Sequence, residues 1–165
     1  AIKSASLAYL KYTLHPFGSL VTLYKLAKAA TDQIALPPVQ FSANSLEFDA
    51  QQEELMNKVT KLLQDRPELK IKVCGVSVKQ DQQAIAALML EQQKEALIKQ
   101  GKSIDKIEID QAQLQEKMKQ LADARSARVK AYLLQQSALE PSRVLNCLSS
   151  TDTEKDASPS VQLLI

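Results

Sequence analysis

The stretch 111–136 constrains the fold of this chain more than any other. Within it Leu114, Met118, Leu121, Arg125, Val129 and Tyr132 follow one another at spacings of 4, 3, 4, 4 and 3. That period puts them on one stripe of a single long helix. Asp110 stands where a side-chain cap is wanted. A long helix with an apolar stripe must bury it against a second layer. Short alternating segments can supply that layer: Val39-Gln40-Phe41; Leu69, Ile71 and Val73 between Lys70, Lys72 and Cys74, stopping at Gly75; Arg143 to Leu148; and Val161, Leu163 and Ile165 around Gln162 and Leu164. Each reads as a strand with one buried face.

Two further helices are predicted. Asp49 caps the first, which carries Leu55, Met56, Val59, Leu62 and Leu63 to about Asp65 and ends at Arg66-Pro67. The second runs from Asp81 to Gln100, with Ile85, Leu88, Met89, Ala96 and Leu97 on one side and Gly101 as its stop. Ser42–Phe48 reads as a loop, and Ser103–Ile109 is open between strand and loop. Helix-linked strands imply parallel neighbours, while the short final loop allows an antiparallel return. The expected fold class is α/β: a two-layer sandwich with a small mixed β-sheet packed on long helices, and an N-terminal helical extension. Residues 37–165 form the domain, with an enlarged helical insertion around 80–110.

Residues 1–36 are compositionally distinct. Lys3, Lys11, Lys25 and Lys28 are not balanced by any acid before Asp32, while the 134 residues after Thr31 carry 17 basic and 19 acidic side chains. Two short helices broken at His15-Pro16 are expected there. Phe17, Leu20, Val21, Tyr24 and Ala27 recur at helical spacing. The plain reading is an appendage packed on the domain or on upstream sequence; the sharper one is membrane-surface contact through residues 1–30. The uncharged run Tyr12–Tyr24 covers 13 positions, short of the ~20 that a bilayer demands. If the protein is exported, its signal lies upstream.

Composition removes several classes of chemistry. One His and two Cys do not furnish a multi-ligand zinc site, an iron–sulfur cluster or a Cys–His nucleophile pair with a spare His. The three glycines, Gly18, Gly75 and Gly101, stand far apart, which excludes a glycine-rich phosphate loop. A net charge of +2 argues against nucleic acid. Asp152, Glu154 and Asp156 around Lys155 lack calcium-loop spacing and read as a solvated turn. No metal, no cofactor and no catalytic residue is expected. Parallel strands would bring Cys74 and Cys147 close, and a bridge needs Cα atoms within ~7 Å; two separate buried thiols are the simpler expectation. The 18 Gln, concentrated in the two central helices, read as solvated faces or as a surface for a partner helix.

Arg125 is the informative residue, because a guanidinium is out of place on an apolar stripe. Three readings stay open. Its stem covers apolar surface while the head reaches water; an internal carboxylate or strand-end carbonyls hold it; or it faces a cleft and grips a carboxylate ligand with its planar fork.

The order of elements and several local words resemble the OmpA-like family from about Val39 to Ile165. They are the opening VQFSANSLEFDAQQEELMNKVTKLLQDRPELKIKVCGV, the helix LADARSARVKAYLLQQSALEPSRV and the closing SPSVQLLI. The resemblance implies a non-covalent peptidoglycan binder that holds diaminopimelate with an Asp at the end of a Gly-His-Thr-Asp turn and with the Arg of the long helix. Arg125 matches that Arg and Gly75 matches the glycine. The turn reads Gly75-Val76-Ser77-Val78, so Val78 stands where the acid belongs, and Asp81 is the nearest substitute. A second family Arg, before the last strand, is replaced near Ser160. The ligand-binding set implied is Arg125, Asp81, Gly75 and Ser77.

The words HPF with an apolar stretch, VQFSANSLEF and DRPELKIKVCG are also similar to the C-terminal end of large AsmA-like envelope proteins. That resemblance implies an exported Gram-negative protein, periplasmic and outer-membrane associated. In it a degenerate OmpA-like module follows upstream domains, with a structural or interaction role. The competing reading is a working peptidoglycan anchor using Arg125 and a displaced acid.

Overall fold

The computed structural model describes residues 34–104, 107–136 and 138–165. The expectations for residues 1–33, including the His15-Pro16 break and the membrane-surface stripe, lie outside the described residues. Eight elements follow in order: β1 (Ala35–Gln40), α1 (Ala50–Asp65), β2 (Ile71–Val78), α2 (Lys79–Lys99), α3 (Gln111–Gln135), β3 (Val144–Asn146), β4 (Ser150–Asp152) and β5 (Ser160–Leu164), with a 3-10 turn at Pro141–Arg143. The expected α/β class and mixed sheet are what forms. Among the described residues no helix is long and apolar enough to cross a membrane.

The sheet runs β1-β5-β2-β3, and β4 also pairs with β2. β5 is antiparallel to both β1 and β2, as the short preceding loop allowed. β3 and β4 are parallel to β2, against Ile71–Val73 and Val76–Val78 respectively, because the α2–α3 crossover returns the chain to the same end. α1 and α3 cover one face. Val59 and Leu63 of α1 and Val129 and Leu133 of α3 meet Val73 and Leu163 in the main core. A second cluster joins Ile85 and Met89 of α2 to Leu114 and Met118 of α3. Both predicted caps form. Asp49 accepts from the Gln52 amide at 2.8 Å, and Asp110 accepts from Ala112 at 2.9 Å; each supplies an acceptor for a helix-start N–H that has no intrahelical partner.

Three boundary expectations and one about the cysteines need correction. The first strand is Ala35–Gln40 and not Val39–Phe41, and it includes Pro37-Pro38; among the described residues β1 is a sheet edge, where a missing N–H removes no ladder bond. The second strand does not stop at Gly75 but runs to Val78, so Gly75-Val76-Ser77-Val78 is strand and not a ligand turn. Gly75 is there because α3 crosses directly over it: an added Cβ would lie 1.9 Å from the Ala122 carbonyl oxygen. The third strand is two pieces broken at 147–149, and Arg143 belongs to the turn before it. That Arg donates to the carbonyls of Leu63 at 2.7 Å and Arg66 at 2.8 Å, closing the C-terminus of α1 with a cation as its dipole favours. Finally, Cys74 and Cys147 are not separate thiols. They form a disulfide with Cα atoms 4.8 Å apart, because β3 lies directly beside β2.

Candidate functional site

Arg125 reaches its position through the stripe of α3, one turn beyond the point where Ala122 rests on Gly75. Asp81 arrives from a different direction. It sits at the third position of α2, which starts immediately after β2 with no intervening loop. There its Oδ2 accepts from the Val78 amide at 3.0 Å, serving the start of its own helix. Both side chains have 0% exposure.

The two meet fork to fork. Arg125 Nη1 donates to Asp81 Oδ2 at 2.8 Å, and Nη2 donates to Oδ1 at 2.7 Å. The remaining donors reach backbone: Nε to the Ser45 carbonyl at 3.1 Å, Nη2 to the Ser42 carbonyl at 3.0 Å, and Nη1 to the Val76 carbonyl at 3.4 Å. A guanidinium has five N–H groups, and these contacts use all five. The Phe41 ring centroid lies 5.2 Å from the guanidinium carbon, within cation–π range. The Asn44 amide donates to Asp81 Oδ1 at 2.8 Å, so the loop after β1 closes over the pair. Of the three readings of Arg125, the internal carboxylate and strand-end carbonyls are what hold it.

Burial pushes the Asp81 carboxyl up. The bond from Arg125, the Asn44 and Val78 amides and the positive charge of Arg125 outweigh that, and hold it below the ordinary aspartate value of 3.8. The carboxylate is ionised at neutral pH and has no proton to give. Chemically the pair is a closed, charge-balanced clasp, and no guanidinium N–H is left for a ligand.

The other two predicted residues lie nearby but do not line an opening. Gly75 is under α3. Ser77 has 0% exposure, and its hydroxyl is 3.1 Å from that of Thr151 on β4. The expected loop after β1 is there, but the sequence reading assigned no role to its Ser42–Ser45 segment, which supplies two carbonyls and the Asn44 amide. Its signal was present: Asn44 adopts a positive φ of 51°, a conformation that Asn tolerates better than most residues. An aromatic run also went unread. Phe48 is 5.5 Å from both Phe41 and Tyr132, and Arg128 stacks on Phe48 at 5.2 Å. Among the described residues no group of three His, Cys, Asp or Glu is placed to hold a metal ion.

No family model matches the sequence, and no curated protein matches it. Solved structures do. The chain is similar to the OmpA-like domain of FopA1 from Francisella tularensis, with a TM-score of 0.53 at 11% identity over 81% of this chain and 71% of that one. It is similar to a MotB-like protein from Desulfovibrio vulgaris, with a TM-score of 0.52 at 14% identity over 99% of this chain and 94% of that one. At identities this low the likeness shows the fold alone, which is the OmpA-like α/β sandwich.

Proposed function

We propose that this chain is a non-enzymatic cell-envelope domain: an OmpA-like module, at the C-terminal end of a larger AsmA-like protein of the Gram-negative periplasm and outer membrane, with a structural or interaction role. The observation that carries the reading is the state of Arg125. In the ligand-binding set implied by the resemblance, this Arg grips a carboxylate of the stem peptide. Here an internal carboxylate, Asp81, already fills that fork, and backbone carbonyls take the other donors. The internal acid occupies the place of the ligand, so peptidoglycan affinity is lost while the fold is kept. The two buried charged side chains among the described residues are satisfied by each other, which supports a non-catalytic role.

The alternative, a working anchor, draws on the same pair: Asp81 does come to Arg125. Peptidoglycan could reach them only if the Ser42–Ser45 loop lifted away and the pair opened. Co-sedimentation with purified sacculi separates the two readings. The expected result is that the chain stays in the supernatant at all sacculus concentrations. Saturable retention, competed away by free diaminopimelate, would overturn the proposal in favour of the anchor.

A further inference from the structure

α1 and α3 cover one face of the sheet, and the opposite face has a composition of its own. Successive strand residues point to opposite faces. Val144, Val73, Leu163 and Leu36 belong to the main core, so Leu145, Lys72, Leu164 and Ala35 point the other way. The register sets these four side by side: Leu145 opposite Lys72, Lys72 opposite Leu164, and Leu164 opposite Ala35. They form a row across β3, β2, β5 and β1. The next row holds the Cys74–Cys147 bridge, with Gln162 opposite Cys74. Leu145 is 40% exposed and Lys72 and Gln162 are exposed. Neither core cluster of the described residues includes any member of these two rows.

The chain enters the sheet at the end of the first row. Ile34 immediately precedes Ala35 and is tied to Ile165 by two backbone bonds of 3.1 and 2.9 Å, so the residues before it join the domain beside this face. They include Phe17, Leu20, Val21, Tyr24 and Ala27 at helical spacing, and residues 12–24 carry no charge. From Ala27 to Ala35 the chain can extend ~27 Å. The four-strand row spans ~14 Å at the usual strand spacing, so the apolar stripe can reach any part of it.

We infer that residues 17–27 of this same chain dock on the helix-free face, across Leu145, Lys72, Leu164 and Ala35, and add a third layer to the sandwich. Leucine and alanine side chains, the bridge and the stem of Lys72 offer the segment an apolar bed. Its uncharged stretch sets no like charge against the Lys72 ammonium. A second copy of the chain suits the face less well, because a two-fold contact places the same patch on both sides and brings Lys72 towards its own counterpart. Docking also takes the stripe away from a lipid surface. The face uses neither Arg125 nor Asp81, so the inference stands independently of the sacculus result.

The test is photo-crosslinking in the full 165-residue chain. Gln162→p-benzoylphenylalanine puts the probe at an exposed position of the face without touching the core. Irradiation should give a product of monomer mass on a denaturing gel, with the crosslink mapped by mass spectrometry to residues 17–27. Lys61→p-benzoylphenylalanine, exposed on α1 on the other side of the sheet, should give none there. Leu20→Asp with Val21→Asp should cut the yield from position 162 at least tenfold, with the far-ultraviolet circular dichroism of the domain retained. Three results would each overturn the inference. One is that position 162 gives no crosslink to residues 17–27. Another is a product of dimer mass, which assigns the face to a second copy. The third is loss of the monomer product, with the chain pelleting, when vesicles of phosphatidylethanolamine and phosphatidylglycerol are added, which assigns the stripe to a lipid surface.

Discussion

Arg125 and Asp81 are each taken out of water at a cost of several kcal/mol per ion, and only complete pairing offsets it. Truncating one partner is therefore far worse than removing both. Arg125→Ala, which leaves the Asp81 carboxylate buried with only the Asn44 and Val78 amides, is expected to destabilise the domain by ~3–5 kcal/mol, read from urea denaturation midpoints. The double variant Arg125→Met with Asp81→Leu is expected to lose clearly less. Acid should act on the same clasp. A carboxyl held below its ordinary 3.8 contributes stability that is present above that value and disappears as pH falls through the folded value. Below about pH 4, the wild type should lose stability that Asp81→Asn does not lose, and denaturant midpoints at pH 7, 4 and 3 measure the difference. The sequence marked Arg125 as displaced, because a guanidinium interrupts an apolar period. It could not choose among three environments for it, since Asp81 lies 44 positions away and no local pattern links the two.

At the scale of elements, the contact that positions the clasp is α3 on β2 at Gly75. The sequence reading took this glycine as the end of a strand and the start of a ligand turn. The structure uses it for close approach, with no side chain to hold the helix away. Gly75→Ala would set a methyl 1.9 Å from the Ala122 carbonyl oxygen and 2.7 Å from Ser126 Oγ. Backbone cannot swing aside as a flexible side chain would, so α3 must shift. The expected loss is at least ~1–3 kcal/mol, the ordinary range for overpacking, measured by thermal denaturation. A melting temperature equal to the wild type would show that the helix does not press on this strand. Element identity was otherwise legible in the sequence: the three helices followed from their apolar patterns, and two of their caps from Asp49 and Asp110. Edges were less so. Pro37-Pro38 reads as a break unless one knows that, among the described residues, no strand pairs with the outer side of β1.

For the molecule as a whole, the Cys74–Cys147 bridge closes a loop of 73 residues that contains both α2 and α3. Constraining so long a loop in the unfolded chain is worth ~4 kcal/mol on the chain-entropy account. Reduction, or Cys147→Ser, should therefore lower the melting temperature while the native circular dichroism at 25 °C persists; identical melting with and without reductant would mean that the bridge contributes nothing. The two layers, the mixed sheet and the odd position of Arg125 could all be read from residue order, because period and capping are relations between close neighbours along the chain; the direction of the last strand stayed open until the sheet placed it antiparallel. The partner of Arg125, the bridge between the cysteines and the meaning of Gly75 could not. They depend on which strands lie side by side and where one helix crosses them, and those contacts span 44 to 83 positions. No local periodicity encodes such separations; the folded topology creates them.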